Sequence, residues 1–220
     1  MDKIKIYNVK WTSYDAGPSP DNNRRTELFL SGCNKASKGN PCPGCFNPDL
    51  FDPNRYVAKV SAKEAYENII KNSPNKFITI VGGEPLDQIE PLTALCKLLK
   101  EDGYHIIVFT HYVLKDVMKM NIGADFLSSI DILIDGEFKF EEKIQNQNEY
   151  EDGFHNVVGS GNQVIWDIQD TNFYHKKFYT GYYSRDLVGL FLNDNHSLTY
   201  ITYDEDRMEL TCYDERSIAV

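Results

Sequence analysis

The sequence lacks any apolar run long enough to cross a membrane, and it lacks an excess of basic residues. It contains 23 Lys and Arg against 33 Asp and Glu, a formal net charge of −10. A nucleic-acid-binding surface needs clustered basic residues that contact phosphates, so nucleic acid is not an expected partner. The first residues, Met1 to Ile4, have no signal-peptide pattern. We therefore expect a cytoplasmic protein without a membrane or nucleic-acid partner.

The sequence contains an odd number of cysteines, and most of them are crowded together. Three of the five lie within thirteen residues, at Cys33, Cys42 and Cys45. In a cytoplasmic protein an odd cysteine count with local crowding favours metal or redox chemistry over a disulfide framework. Cys96 lies in an apolar stretch with helical spacing and is predicted to be a core residue, and Cys212 stands apart.

The segment from Glu27 to about residue 135 alternates strand-like and helix-like patterns. Ser61 and Glu64 have capping-box spacing, and Gly103 is a typical helix terminator. The patterns predict strands at 28–30, 77–81, 104–110 and 131–134, and helices at 61–70, 90–101 and 113–120. This alternation predicts an α/β fold with a mostly parallel sheet, open or closed into a partial (β/α) barrel.

Beyond Gly136 the pattern changes. Residues 141–163 are rich in Gln, Asn, Glu and Gly and are predicted to form a long loop over the site. Three later runs, 187–192, 197–203 and 208–213, predict a small C-terminal antiparallel β meander in an aromatic-rich extension. We therefore predict a core domain at 1–168 and a β-rich extension at 169–220.

The cysteines have the spacing Cys-x8-Cys-x2-Cys, and Gly82-Gly83-Glu84-Pro85 follows the second predicted strand. Ligands bind at the carboxyl ends of parallel strands, where both segments are expected to lie. One interpretation is a structural zinc site, whose fourth ligand would come from His105, His111, Cys96 or Cys212. The other is a four-iron cluster with three thiolate ligands and one open iron.

Four segments carry a resemblance to a known family. They are SGCNKASKGNPCPGCFN at 31–47, VGGEP at 81–85, Asp131 to Phe138, and GSGNQ at 159–163. In this order they resemble the radical S-adenosylmethionine superfamily, most closely the activating proteins of anaerobic ribonucleoside-triphosphate reductases. The resemblance covers about residues 1–168. The spacing departs from the family, in which three residues usually separate the first two cysteines and not eight.

The resemblance implies a radical S-adenosylmethionine oxidoreductase with a [4Fe-4S] cluster. Cys33, Cys42 and Cys45 would bind the cluster, and S-adenosylmethionine would occupy the open iron and be cleaved to a 5′-deoxyadenosyl radical. Further cofactor contacts are expected from the glycine-rich segment, the cysteine loop and the end of the third strand: Gly44, Phe46, Gly82, Gly83, Glu84 and Thr110. The implied partners are the large glycyl-radical subunit of anaerobic ribonucleotide reductase and an electron donor such as flavodoxin.

Two alternatives remain at this point. One is a small-molecule radical enzyme that resembles 7-carboxy-7-deazaguanine synthase, which also has a Gly-Gly-Glu-Pro segment. The other is a zinc-stabilised binding module without catalysis, with the meander as its docking surface. The aromatic extension would then contact a partner, although a small meander also needs aromatic residues for its own core.

Overall fold

The computed structural model describes residues 3–14, 16–17, 19, 21–22, 24–143 and 158–168, and the backbone of three strands beyond them. The described strands are β1 (Ile4–Ser13), β2 (Arg25–Leu30), β3 (Ala58–Val60), β4 (Phe77–Gly82), β5 (His105–Phe109), β6 (Ile132–Asp135), β7 (Val164–Asp167), β8 (Leu187–Leu192), β9 (Leu198–Asp204) and β10 (Glu209–Asp214). The described α-helices are α1 (Asn34–Ser37), α2 (Ala62–Asn72), α3 (Ile89–Glu101), α4 (Leu114–Met118) and α5 (Gly123–Ser128).

The first seven strands form one open sheet. Their order is β7-β6-β5-β4-β2-β1-β3, and the last three strands continue it beyond β7 in the order β8-β9-β10. Strands β2, β4, β5 and β6 are mutually parallel, whereas β1 and β7 flank them in the antiparallel direction. The carboxyl ends of the four parallel strands therefore lie at one edge of the sheet.

Local sequence signals explain where the main helices begin and end. The Ser61 hydroxyl accepts the Glu64 backbone N–H, and the Glu64 carboxylate accepts the Ser61 N–H, so the predicted capping box begins α2. After α3, Gly103 adopts a φ of +79° and its N–H donates to the Lys100 carbonyl. That left-handed residue ends the helix and turns the chain into β5.

The two faces of the sheet are covered differently. Ile106 and Val108 of β5 belong to the large core that also contains the apolar sides of α2 to α5. Ile107, between them, faces the other way and packs with Ile132 and Ile134 in a smaller cluster. The prediction that this strand is buried on both faces is confirmed.

The predicted mixed α/β class is confirmed, but closure into a barrel is not seen. The sheet stays open, with β3 and β10 as its two edge strands. Strands β8, β9 and β10 pair antiparallel in sequence, as a meander does. The sequence patterns did not predict β1, β3, β7, α1 or α5. The division at residue 168 stays a prediction, and most of the predicted loop (144–157) and the aromatic stretch at 173–183 lie outside the described residues.

Candidate functional site

The cysteine loop and the Gly-Gly-Glu-Pro segment follow two adjacent parallel strands, β2 and β4, whose carboxyl ends lie side by side. The last pair in the register of β2 and β4 is Leu30 with Gly82. Ser31, Gly32 and Cys33 follow β2 directly, and Gly83 and Glu84 follow β4. Thr110 and His111 follow β5, the next strand of the sheet. Three strand ends therefore bring the predicted site residues to one edge.

Gly82 and Gly83 pack against the start of the cysteine loop with no room for a side chain. A Cβ on Gly82 would lie 2.3 Å from the Leu30 carbonyl oxygen, and one on Gly83 would lie 2.1 Å from the Gly32 carbonyl oxygen. The same Gly32 oxygen accepts the Glu84 N–H at 2.7 Å. The two glycines thus have a role inside the protein, and their predicted contact with a methionyl group stays a prediction.

Glu84 is the polar centre of this edge, and its side chain is 1% exposed. Its Oε1 accepts the Leu86 N–H at 2.9 Å and the Thr110 hydroxyl at 2.8 Å. Its Oε2 accepts the His111 backbone N–H at 2.9 Å and lies 2.6 Å from His111 Nδ1. The carboxylate therefore already has four protein partners. The predicted hydrogen bond from a ligand ammonium would have to replace one of them.

Thr110 takes part in the same arrangement and is buried. Its hydroxyl donates to Glu84 and accepts the Tyr112 backbone N–H at 3.1 Å. The hydroxyl is thus committed to positioning Glu84 and the turn after β5. Its predicted direct contact with a cofactor stays a prediction.

The three predicted cluster ligands are free thiols at different depths. Cys33 is buried, whereas Cys42 and Cys45 are half-buried. The Cys45 N–H donates to the Cys42 carbonyl at 3.1 Å, and the Asn47 N–H lies 3.5 Å from Cys45 Sγ. Hydrogen bonds of the latter kind are among the factors that set cluster potentials. Within residues 3–143 and 158–168, as far as they are described, no three His, Cys, Asp or Glu side chains are grouped closely enough to hold a metal ion.

The surroundings of Cys42 and Cys45 affect how readily these thiols lose a proton. Burial raises the pKa of Cys42 to about 11, and the nearby Glu137 carboxylate adds to this effect. Burial also raises the pKa of Cys45. Both groups are therefore neutral thiols at pH 7 in the metal-free chain. Bound iron deprotonates a coordinating thiol, which removes this barrier.

The residues between Cys33 and Cys42 form a short helix and a turn. Residues Asn34–Ser37 form α1, and the Ser37 N–H donates back to the Cys33 carbonyl at 2.9 Å. Gly39 follows with a φ of +76°, and the Asn40 N–H donates to the Lys35 carbonyl at 2.9 Å. The extra residues close on themselves in one helical turn.

His111 belongs to this site, although the sequence indicated it only as one possible fourth ligand of a zinc ion. Burial lowers its pKa, but hydrogen bonds with Cys33 and Glu84 outweigh that effect and raise the pKa to about 9. Its ring stacks on Tyr112 with centroids 4.3 Å apart. The signal that could have identified it is its place next to Thr110 at a parallel strand end.

Gly44 and Phe46 lie on the outer side of the loop, beside residues 138–143. Phe46 is 55% exposed, and its ring centroid lies 4.8 Å from that of Phe138. A Cβ on Gly44 would lie 2.6 Å from the Phe140 ring. The ring is exposed, although the Lys143 ammonium lies 5.4 Å from its centroid, and the adenine contact stays a prediction.

The GSGNQ segment supports this side of the site. Gln163 Oε1 accepts the Gly159 N–H at 2.9 Å, and its Nε2 donates to the Gly136 carbonyl at 3.0 Å. Asn162 Nδ2 donates to the Glu137 carbonyl at 2.8 Å. The segment thereby fixes the chain around Glu137, which faces the cysteine loop.

Residues 22–166 match the family described as "4Fe-4S single cluster domain". The chain belongs to this family. The matched range of this 4Fe-4S protein includes all three clustered cysteines, the Gly-Gly-Glu-Pro segment and the GSGNQ segment.

Two individual proteins are similar to this 4Fe-4S protein. The anaerobic ribonucleoside-triphosphate reductase-activating protein of Pasteurella multocida (strain Pm70) is 27% identical over 152 residues, which is 64% of this chain and 86% of that protein. The crystal structure of QueE from Escherichia coli has a TM-score of 0.40 and 15% identity, and it covers 50% of this chain and 52% of its own. The likeness to QueE is too weak to carry an argument about function.

The family match and the activating-protein relative confirm the resemblance to the radical S-adenosylmethionine superfamily that the motifs predicted. The described helices include none that is both long enough and apolar enough to span a bilayer.

Proposed function

We propose that this chain is a radical S-adenosylmethionine activase that installs a glycyl radical on an anaerobic ribonucleotide reductase. The observation that carries the proposal is the direct packing of the two motifs at one sheet edge. Gly83 lies against Gly32, one residue before Cys33, within a chain of the 4Fe-4S single cluster family. A cluster on the cysteine loop and a ligand on the glycine segment would therefore be neighbours.

The residues at this edge suit the two groups that the proposal requires. Cys33, Cys42 and Cys45 offer three thiols, which leaves one iron of a four-iron cluster without a protein ligand. When bound, the cluster and S-adenosylmethionine would supply one-electron cleavage to a 5′-deoxyadenosyl radical, which removes a hydrogen atom from a glycine of the partner. The protein's own task is to position both groups and to exclude water.

The remaining cofactor contacts follow from the same edge. In the proposal, the backbone at Gly82 and Gly83 lies beside the methionyl group, next to the start of the cysteine loop. Glu84 and Thr110 form the buried polar floor of that site. Gly44 and Phe46 lie beside the last two cysteines, where the exposed Phe46 ring would stack on the adenine.

The partner part of the proposal rests on the similar protein from Pasteurella multocida, which is named as a reductase-activating protein. A large glycyl-radical subunit is accordingly the proposed substrate. A second cysteine cluster is absent from the sequence, so an external electron donor such as flavodoxin would reduce the site.

An anaerobic assay tests the proposal. The chain is reconstituted with iron and sulfide, reduced with dithionite and given S-adenosylmethionine, and 5′-deoxyadenosine is quantified. We expect product from the wild type and none from Cys42→Ala. Cys96→Ala is the matched control, since Cys96 is completely buried in α3 and should leave product formation intact. Zinc retention without iron uptake would contradict the proposal.

The partner is tested separately by electron paramagnetic resonance. Incubation with an anaerobic ribonucleotide reductase should generate a glycyl-radical signal that depends on Cys42. Formation of 5′-deoxyadenosine without any such signal would favour the small-molecule alternative.

A further inference from the structure

The last two cysteines of the loop are the first and fourth residues of one tight turn. The Cys45 backbone N–H donates to the Cys42 carbonyl oxygen at 3.1 Å, and Pro43 and Gly44 lie between them as the central residues of the turn. The proline ring fixes φ at about −65°, and Gly44 has a φ of +68°. These φ values are typical of a type II turn, in which Pro is common at the first central position and Gly at the second.

This turn holds two thiols at the separation that a disulfide needs. The first and fourth Cα atoms of a β-turn lie less than about 7 Å apart. A disulfide spans a Cα separation of about 4.4–6.8 Å. Cys42 and Cys45 occupy these two positions, and both are free thiols. A bond between their sulfur atoms therefore requires no large movement of the backbone.

Exposure separates this pair from the other cysteines whose side chains the structure describes. Cys42 and Cys45 are half-buried, and the two residues between them are exposed. Cys33 is only 7% exposed and Cys96 is completely buried in α3. A small disulfide in solution therefore reaches the pair in the turn before it reaches Cys33 or Cys96.

Thiol–disulfide exchange with oxidised glutathione would join the pair in two steps. The thiolate of one cysteine attacks a glutathione sulfur, breaks the glutathione S–S bond and releases one glutathione thiolate, which leaves a mixed disulfide on the protein. The thiolate of the other cysteine then attacks the protein sulfur of that mixed disulfide and releases the second glutathione. The two protein thiols lose two electrons and two protons, and oxidised glutathione gains them. The second step is intramolecular, and the turn already holds the two residues close together.

We propose that Cys42 and Cys45 are a redox modification site, at which a low-molecular-weight disulfide forms an intramolecular Cys42–Cys45 bond in the cluster-free chain. This bond removes two of the three thiols that the proposed cluster needs, so iron binds only after a dithiol has reduced the bond. The inference rests on the proposed function in one respect, that both thiols bind the cluster.

The test uses the full metal-free chain. The chain is reduced, freed of reductant and incubated anaerobically with oxidised glutathione, and the remaining thiols are alkylated before digestion with trypsin. Residues 39–55 are released as one peptide that contains both cysteines of the pair, whereas Cys33, Cys96 and Cys212 lie in other peptides. Mass spectrometry then reports the state of each thiol.

We expect the peptide 39–55 to be unalkylated and lighter than its reduced form by two hydrogen atoms, and Cys33 and Cys96 to be alkylated. Alkylation of both Cys42 and Cys45 would overturn the inference. Glutathione retained on either residue would also overturn it, because the turn would then not bring the second thiol to the first. A link from either residue to any other cysteine would equally overturn it.

Two glycine variants test whether the turn is responsible. Gly44→Ala introduces a Cβ at the left-handed residue inside the turn, which disfavours the turn conformation. Gly39→Ala is the matched control, because Gly39 is also left-handed, with a φ of +76°, but lies outside the turn and has no heavy atom within 4 Å of its Cβ position. We expect Gly44→Ala to lower the ratio of disulfide to dithiol about tenfold, equivalent to about 1.4 kcal/mol, and Gly39→Ala to match the wild type. Equal ratios in the two variants would overturn the inference.

Iron uptake tests the consequence of the bond. The oxidised chain should bind iron only after treatment with dithiothreitol, whereas the reduced chain should bind it directly. Equal uptake by the oxidised and reduced chains would overturn the inference. A reduced chain that takes up no iron, in which the disulfide nevertheless forms, would instead contradict the proposed function, so the two failures are distinguishable.

Discussion

Replacing Gly83 by alanine tests whether the two motifs form one unit. The added Cβ would lie 2.1 Å from the Gly32 oxygen, 2.6 Å from the Gly32 carbonyl carbon and 2.7 Å from the Leu50 oxygen. All three neighbours are backbone atoms, so no side-chain rotation relieves the contact. The backbone must separate by about 1 Å, and overpacking of this kind costs about 3 kcal/mol. That is a large part of a typical unfolding free energy of about 5–15 kcal/mol.

The measurement is urea unfolding of the metal-free protein, followed by iron content after reconstitution. Gly103→Ala is the control, because Gly103 has a φ of +79° but no heavy atom within 4 Å of the position that its Cβ would occupy. It should cost about 1 kcal/mol through backbone conformation alone. We expect Gly83→Ala to be less stable than this control and to bind less iron. Equal stability of the two variants, with full iron content, would refute the packing argument.

Three further predictions follow from the described contacts. Burial raises the pKa of Asp135 to about 6, so the native state holds more protons than the unfolded state between about pH 4 and 6. The unfolding free energy should therefore fall by up to about 3 kcal/mol as the pH rises through that range. Urea unfolding of Asp135→Asn at pH 4 and pH 7 should lack this fall, and the same pH profile in the variant and the wild type would contradict the assignment. Ser61→Ala removes the acceptor of the Glu64 N–H and should lower the free energy of unfolding by about 1 kcal/mol. Thermal unfolding measures this loss, with Lys63→Ala as a surface control. An unchanged stability would show that the cap is not stabilising. Phe46→Ala should lower the unfolding free energy by no more than about 1 kcal/mol, since half of the ring is exposed. It should nevertheless weaken S-adenosylmethionine binding, as measured by an anaerobic titration. Unchanged binding would exclude the stacking role.

The parallel part of the fold could be predicted because its signals are local. The consecutive apolar residues Ile106, Ile107 and Val108 identified a strand buried on both faces, and the Ser61 capping box located the start of α2. β1 was not predicted, although Ile4 and Ile6 alternate with less buried residues in the way a half-buried strand does. No local sequence signal specifies that β7 pairs antiparallel with β6, so this pairing could not be predicted.

The sequence predicted where the residues of the candidate site lie in the fold, but not the hydrogen bonds between them. Ligands bind at the carboxyl ends of parallel strands, and this rule predicted that Cys33 and Gly82 lie at the same edge of the sheet. The bonds that Thr110 and His111 donate to Glu84 could not be predicted, because these residues are distant from Glu84 in the sequence and meet it only in the fold. Glycine at 82 and 83 suggested space for a ligand, whereas the structure shows that the same absence of side chains is needed for contact with the cysteine loop.

The unusual cysteine spacing has a physical consequence beyond its length. The residues between Cys33 and Cys42 form a helical turn, and that turn carries Lys35, which forms an ion pair with Glu137. The Lys35 ammonium lowers the pKa of Glu137, and its charge acts against the carboxylate's tendency to keep Cys42 protonated. A carboxylate beside a thiolate would otherwise oppose cluster binding by repulsion between like charges. The turn between Cys33 and Cys42 therefore supplies a cation that offsets the Glu137 charge, and the GSGNQ segment holds Glu137 there through Asn162.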